Sequence, residues 1–469
     1  MAQHINLQLG WPSPSLNPTA SILAGAASIL QSTTKSSAAL VYGPDAGYVP
    51  LRGSIAKWLQ STYAPNSSAL PDPERICVTN GASANLAAIL ARFTEPGYTQ
   101  RIWIAEPSYF LACPIFVDAG YAGRLRGVPE DDEGFDIPFL RRSLEQVGRD
   151  EEKLESVTKT GSRYEKLYRH VIYAVPTFSN PSAKTMSLGR REQLVLLARE
   201  YDALIVTDDV YDVLRWPQDP KVDISQLSTV PPRIVDVDAS LNGGPKDPYG
   251  NAVSNGSFSK IIGPGIRTGW AEATPAFALA LSNLGSTRSG GCPSHLTASF
   301  VNEMLESGAL QHHIKETLVP TFRQRYYTMM RAIQDRLLPL GFQIDVGKPY
   351  ERSPPLTNGH TNGHANGHTN VHINGVHASI MEAGGYFTWI LAPTDLGDKV
   401  PELAAVALKK YNLKFAYGGM FQVAGDTTST ERAREGFGRG IRLAWAWHTA
   451  DEISEGIERL AQVIGDARK

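Results

Sequence analysis

The chain has 469 residues, with 45 Lys plus Arg against 47 Asp plus Glu for a formal net charge of −2, and is 42% apolar and 20% charged. That balance excludes general disorder and argues against a nucleic-acid or membrane-surface partner, and three widely spaced cysteines exclude a disulfide framework or a zinc cluster. With no signal-like amino terminus and no apolar run of about 18 residues, a cytoplasmic protein without a membrane segment is expected.

In chain order, residues 75–79 (RICVT) read as a strand, and Leu86, Ile89, Leu90 and Phe93 then fall at helical spacing, with 80–83 as the turn between. Residues 101–105 make a second strand, ended by Glu106-Pro107, and 170–175 a third. A loop, a helix carrying Leu194, Leu197, Ala198 and Tyr201, and a fourth strand at 203–207 follow. This alternation predicts an α/β protein with a mostly parallel sheet, whose ligands gather beyond the carboxyl ends of the strands.

Four such places carry suggestive polar residues: Ser83, Asn180 in SNPSAKT, Asp208 and Tyr211 in TDDVY, and Ser257, Ser259 and Lys260 in GSFSK. Taken singly, each is also what a helix cap, a turn or a solvated loop shows. The glycine-rich run 263–269 is not a dinucleotide loop, because it opens no apolar helix and Pro264 lacks the N–H a phosphate would use. Further on, five of the 11 histidines lie between His360 and His377 in Asn-Gly-His repeats. Their four-residue spacing suits one helical face, but Asn-Gly disfavours a helix. A flexible, low-complexity insertion at about 350–378 is therefore expected inside a domain, and no metal site.

Together and in order, these segments resemble the fold type I, pyridoxal-phosphate-dependent aminotransferases of class I and II, above all the kynurenine and 2-aminoadipate aminotransferase subgroup. The resemblance runs from Gly10 to about Ile464. It is carried by YGPDAGYVPLR at Tyr42, VTNGA at Val78, EPSYF at Glu106, SNPSAKTMS at Ser179, DDVY at Asp208, SFSKIIGPGIRTGW at Ser257, GGYF at Gly384 and IRLAW at Ile441. Ser-Phe-Ser-Lys with Arg267 following Lys260 at the family's spacing is the most specific element.

The resemblance implies an aspartate-aminotransferase-like α/β fold: a three-layer α/β/α large domain (36–304) around a mostly parallel mixed sheet, and a smaller α+β domain (1–35 with 305–469). It also implies pyridoxal 5′-phosphate as cofactor and ping-pong exchange of an amino group between an L-amino acid and a 2-oxo acid. Glutamate or 2-oxoglutarate is one expected partner, and an aromatic, 2-aminoadipate-like or other bulky amino acid the other. Another reaction on the same cofactor, such as elimination, replacement, cyclisation or carbon–carbon bond formation, is the alternative, with a non-catalytic sensor domain more distant.

Residue by residue, the resemblance makes Lys260 the Schiff-base lysine and proton shuttle, a role open to Lys because burial can make its amine neutral. Asp208 pairs with the pyridine nitrogen, Tyr211 and Asn180 donate to the phenolate oxygen, and Tyr109 stacks on the ring, while Asp209 is structural. The phosphate is held by the N–H groups of Ala82 and Ser83, by Ser257, Ser259 and Arg267, and by Tyr42 from a second subunit, which implies a homodimer. Arg442 clamps the substrate α-carboxylate, Gly10 passes close to the substrate, and Arg288 stands near a second anion. Two departures are Ala82-Ser83, where the family often has Ser-Gln, and Ala183, where it has Gly.

Overall fold

The short β-rich runs between amphipathic helices pair into one eight-stranded sheet. In the computed structural model, which describes residues 3–149, 157–348, 350 and 380–469, its strands are β1 (Ile76–Thr79), β2 (Arg101–Glu106), β3 (Leu125–Asp131), β4 (Gly134–Phe135), β5 (His170–Ala174), β6 (Ala203–Asp208), β7 (Ala252–Ser257) and β8 (Gly269–Glu272). Their order across the sheet is β1-β8-β7-β6-β5-β2-β3-β4. The run β7-β6-β5-β2-β3 is parallel. By contrast, β8 is antiparallel to both neighbours and β4 is antiparallel to β3.

Alternation along the strands sorts the core into two layers. Ile102, Ile104, Val171, Tyr173, Leu204 and Val206 pack against Leu86, Ile89, Leu90 and Phe93 of helix Ala82–Phe93. The opposite face, with Trp103, Ile172, Ala174, Ala203 and Ile205, meets Leu140 and Leu144 of helix Ile137–Arg149 and Leu194, Leu197 and Ala198 of helix Leu188–Glu200. Burial on both faces is why these strands read as continuous apolar runs.

A second sheet comes from the carboxy-terminal part: β9 (Gln343–Ile344), β10 (Phe387–Leu391), β11 (Ala416–Tyr417) and β12 (Gly440–Ala444), antiparallel in the order β9-β10-β12-β11. Helices Val319–Arg336, Val400–Tyr411 and Ala450–Ala467 share one core with it. The amino-terminal arm joins this part, with Ile5–Asn6 pairing in parallel with Leu413–Lys414 and the Ala444 N–H donating to the Leu7 carbonyl at 2.8 Å. An antiparallel ribbon of Arg215–Pro217 with Glu382–Gly384 links the two sheets.

The four strands read from sequence are present, with ends moved by one residue. The first begins at Ile76 because Pro73–Arg75 forms a 3-10 turn under the Asp72 cap. The third ends at Ala174, and the fourth extends to Asp208, which becomes the terminal residue of β6. Of the expected insertion, Tyr350 is described, its ring 5.8 Å from the Arg191 guanidinium; the Asn-Gly-His repeats lie outside the described residues. No helix among the described residues is long and apolar enough to cross a membrane.

One close packing tests this architecture. Gly256 pairs with Trp270 across β7 and β8, and a Cβ on Gly256 would come to 2.1 Å of Trp270 Cε2. The indole is itself wedged against Trp58 and Phe258, at ring separations of 5.7 and 4.9 Å. Gly256→Ala is expected to lower the free energy of unfolding by about 1–3 kcal/mol through overpacking. Urea denaturation checks this, and an unchanged midpoint would show that the indole can move aside.

Candidate active site

At the carboxyl ends of the parallel strands lies a cavity of about 340 Å³, lined by Gly10, Ala82, Ser83, Tyr109, Asn180, Asp208, Tyr211, Ser257, Ser259, Lys260, Arg267 and Arg442. Segments far apart in sequence meet here because β1, β5, β6 and β7 all point their ends toward it. Two expected residues are elsewhere. Tyr42 is 85% exposed, and Arg288, its side chain 61% exposed, pairs with Asp45 Oδ2 at 3.3 Å.

Asp208 closes the floor. Its Oδ2 accepts from the Tyr173 hydroxyl at 2.5 Å and its Oδ1 from Asn255 Nδ2 at 2.7 Å. Burial pushes its carboxyl up to about 6, against those two hydrogen bonds and Lys260, which favour the charged form. Asp209 turns away into the sheet, where its Oδ2 accepts from Thr207 Oγ1 at 2.7 Å and Ser254 Oγ at 2.6 Å.

Lys260 follows β7 in a one-turn helix, Phe258–Lys260. Its Nζ donates to the Gly10 carbonyl at 2.9 Å, and its own carbonyl accepts from the Tyr386 hydroxyl at 2.8 Å. Burial, with help from the Arg442 cation, lowers the amine to about 8, so a neutral fraction exists near physiological pH.

Arg442, in the middle of β12, donates through Nη1 to Asn180 Oδ1 at 2.6 Å and through Nη2 to the Gln8 carbonyl at 2.7 Å. Its guanidinium lies 4.1 Å from the Phe387 ring centre and 5.1 Å from that of Phe421. Burial lowers it to about 10, so it stays a cation at neutral pH. Gly10 is required beside it, since a Cβ there would meet Phe387 Cζ at 2.5 Å.

The opposite end of the cavity is built for an anion. Helix Ala82–Phe93 begins here behind Gly81, whose φ of 92° no bulky residue tolerates and whose Cβ position lies 2.8 Å from Arg267 Nη2. Arg267 is anchored by donating to the Asn80 carbonyl at 2.7 Å and the Pro264 carbonyl at 3.0 Å. Ser257 and Ser259 share a hydroxyl hydrogen bond of 2.9 Å. Ala183, the departure in the Asn180 loop, takes φ 60°, the left-handed region that its family glycine would enter freely.

The residues present fit a phosphorylated pyridine aldehyde. A helix N-terminus, two hydroxyls and an arginine face one end, a buried carboxylate lies on the floor, and a partly deprotonated amine stands between. Arg442 Nε is buried without a hydrogen-bond partner, and the Tyr211 hydroxyl, also facing the cavity, makes no hydrogen bond among the described residues. Sequence reading missed Tyr173, Asn255, Gln8 and Tyr386, which set the site residues in place. The available signal was a polar Asn in AVSNGS, a strand buried along its whole length.

The family model for aminotransferase class I and II matches residues 14–345. A Saccharomyces cerevisiae protein, YER152C, is 33% identical across 98% of this chain and 97% of its own length. Aromatic-amino-acid aminotransferase 1 of Thermococcus litoralis is 26% identical across 99% of this chain and 89% of its own. Among solved structures, the kynurenine aminotransferase of Pyrococcus horikoshii shares the fold with a TM-score of 0.72 at 24% identity, covering 100% of this chain and 92% of that one. A pocket with this donor set, on this fold and with these relatives, places the chain in the class I and II aminotransferases, pyridoxal 5′-phosphate-dependent enzymes that exchange amino groups between amino acids and 2-oxo acids.

Proposed function

We propose that Lys260, Asp208 and Arg442 form the reaction centre of an aminotransferase that takes bulky L-amino acids, aromatic or 2-aminoadipate-like, and passes the amino group to 2-oxoglutarate. The observation that carries this reading is the convergence of one amine, one carboxylate and one guanidinium on a single cavity. The bound cofactor supplies an electron sink for the carbanion left when the substrate Cα loses its proton. The Asp208 carboxylate, held by Tyr173 and Asn255, binds the pyridine nitrogen, and a cationic partner there favours its ionised form. Asn180 Nδ2 and the Tyr211 hydroxyl would be the donors for the phenolate oxygen, and the Tyr109 ring, which lines the same cavity, would pack against the pyridine. The N–H groups of Ala82 and Ser83, with Ser257, Ser259 and Arg267, hold the phosphate.

Lys260 takes the proton from the Cα of the amino donor in one half of the exchange and delivers one to the Cα of the incoming oxo acid in the other, a task that needs a neutral amine close to the operating pH. Arg442 offers a planar fork to the α-carboxylate, aimed by Asn180 and Gln8 and shielded from water by Phe387 and Phe421. Trp11, Leu9, Phe110 and Leu111 add apolar surface beside it, which suits an aromatic or other bulky side chain. The name of the Thermococcus litoralis relative supports the same substrate class.

Three further features belong to this reading. A homodimer is supported by the exposed apolar residues Trp11, Leu23, Leu30, Leu40, Val41 and Tyr42 and by the family resemblance, which implies Tyr42 of a second copy at the phosphate end. The division into 36–304 and 1–35 with 305–469 is supported by the two sheets, which fall on either side of residue 304. A cytoplasmic location fits the free, buried Cys77, Cys113 and Cys292.

With phenylalanine, tyrosine, kynurenine or 2-aminoadipate as donor, the holoenzyme is expected to form the 2-oxo acid and leave the cofactor in its amino form until an oxo acid is supplied. Ammonia release without an acceptor would sink the reading. Lys260→Ala should cut turnover by about a thousandfold or more. In the wild type, the rate of cofactor recapture by stripped enzyme should rise with pH around 8, because only the neutral amine attacks an aldehyde; a midpoint above 10 would contradict the lowered amine. If Tyr42 completes the partner's site, mixing Tyr42→Ala with Lys260→Ala should restore about a quarter of wild-type activity, since half the dimers are mixed and one of their two sites is intact. Simple averaging of the two parents would refute the shared site.

A further inference from the structure

Five charged side chains line the active-site cavity: Asp208, Lys260, Arg267, Lys414 and Arg442. The reading above uses four of them, for the pyridine nitrogen, the aldehyde, the phosphate and the α-carboxylate. Lys414 is left over, and four cations against one carboxylate call for a further anion.

The backbone of Lys414 is fixed beside the arm that serves the reaction centre. Lys414 pairs with Asn6 in the parallel ladder of Leu413–Lys414 with Ile5–Asn6, and its carbonyl accepts from the Leu7 N–H at 2.8 Å. The same arm presents the Gln8 carbonyl to Arg442 and the Gly10 carbonyl to Lys260. Two residues beyond Lys414, Ala416 pairs with Arg442 across β11 and β12. Side chains two apart on an extended segment leave on the same side, so Lys414 and Arg442 reach one cavity. Its ammonium has no ion pair or hydrogen bond among the described residues. Asn6 and Gln8, polar residues of the neighbouring arm, line the cavity with it.

We propose that Lys414 binds the distal carboxylate of a dicarboxylic substrate, glutamate or 2-oxoglutarate, and so selects a diacid for one half of the exchange; this rests on the aminotransferase reading above. A single cavity that serves both an aromatic and an acidic substrate meets a physical conflict, because a fixed, buried cation would be stranded under an aromatic ring. Lys414 is exposed and stands on a flexible four-carbon stem, so its ammonium reaches a carboxylate when one is bound and stays in water otherwise. Arg288, the residue expected near a second anion, is already engaged by Asp45 and by Asn283 within its own chain.

The test compares kcat/KM of the holoenzyme for 2-oxoglutarate and for pyruvate with one aromatic donor. Lys414→Met should lower the ratio of the two about three- to fivefold, Lys414→Glu should lower it further by repulsion, and Lys414→Arg should hold it within about twofold. Raising the salt concentration should erode the ratio in wild type and leave it flat in Lys414→Met, because a half-exposed charge pair is screened. Glutarate, a diacid with no reacting carbonyl, should lose affinity as a competitive inhibitor in step with the ratio. A ratio within twofold of wild type in Lys414→Glu overturns the assignment while leaving amino transfer itself standing. Absence of transfer to either oxo acid in wild type overturns both.

Discussion

The site depends on how one buried guanidinium is satisfied. Arg442 sits inside the small sheet, where an unpaired cation would cost several kcal/mol, and its partners come from three parts of the chain: Asn180 from the loop after β5, the Gln8 carbonyl from the amino-terminal arm, and the rings of Phe387 and Phe421. These contacts make the arm, the large sheet and the small sheet one cavity wall. They also leave Nε without a partner among the described residues, so the network is complete enough to hold the side chain and incomplete enough to bind. The same cation contributes to the lowered amine of Lys260, which couples the group proposed to hold the substrate with the group proposed to move its proton.

The large sheet is tied to the carboxy-terminal part of the chain at a second place. Glu106, at the end of β2, takes an ion pair from Arg432 and a hydrogen bond from Ser429, both in helix Thr427–Glu435. Asp426 caps that helix and accepts from the Gly127 N–H of β3 at 2.8 Å. A carboxylate with almost no solvent exposure is tolerable only with such partners. Glu106 therefore belongs to the scaffold that holds the following segment, from which Tyr109 reaches the cavity.

Much of the site was legible because its chemistry needs fixed residue types at fixed spacing. Lys260 and Arg267 are close in sequence, and Asp208 and Tyr211 lie in one turn, so local text was enough. Tyr173 and Asn255 were illegible for a definite reason. Asn255 meets Asp208 through the β6–β7 register, and Tyr173 lies diagonally across β5–β6; neither partner can be read before strand order is known. Lys414 shows the same limit more strongly, since its neighbour in the ladder comes from the other end of the chain. The strand periodicity, by contrast, was readable to within a residue, because burial on both faces leaves little choice of composition.

The net charge of −2 and the local charge of the cavity now stand in contrast. Four cations facing one carboxylate repel one another, and that repulsion is visible in Lys260, whose amine is lowered in part by Arg442. Anionic ligands offset it, because each phosphate or carboxylate attracts every cation in the cavity while the cations stay in place. Binding and fold stability are then linked: whatever occupies the cavity stabilises the native chain in proportion to its affinity. A near-neutral net charge keeps that attraction local, so the cations proposed to meet ligand anions, Arg267, Arg442 and Lys414, act at short range rather than by long-range steering.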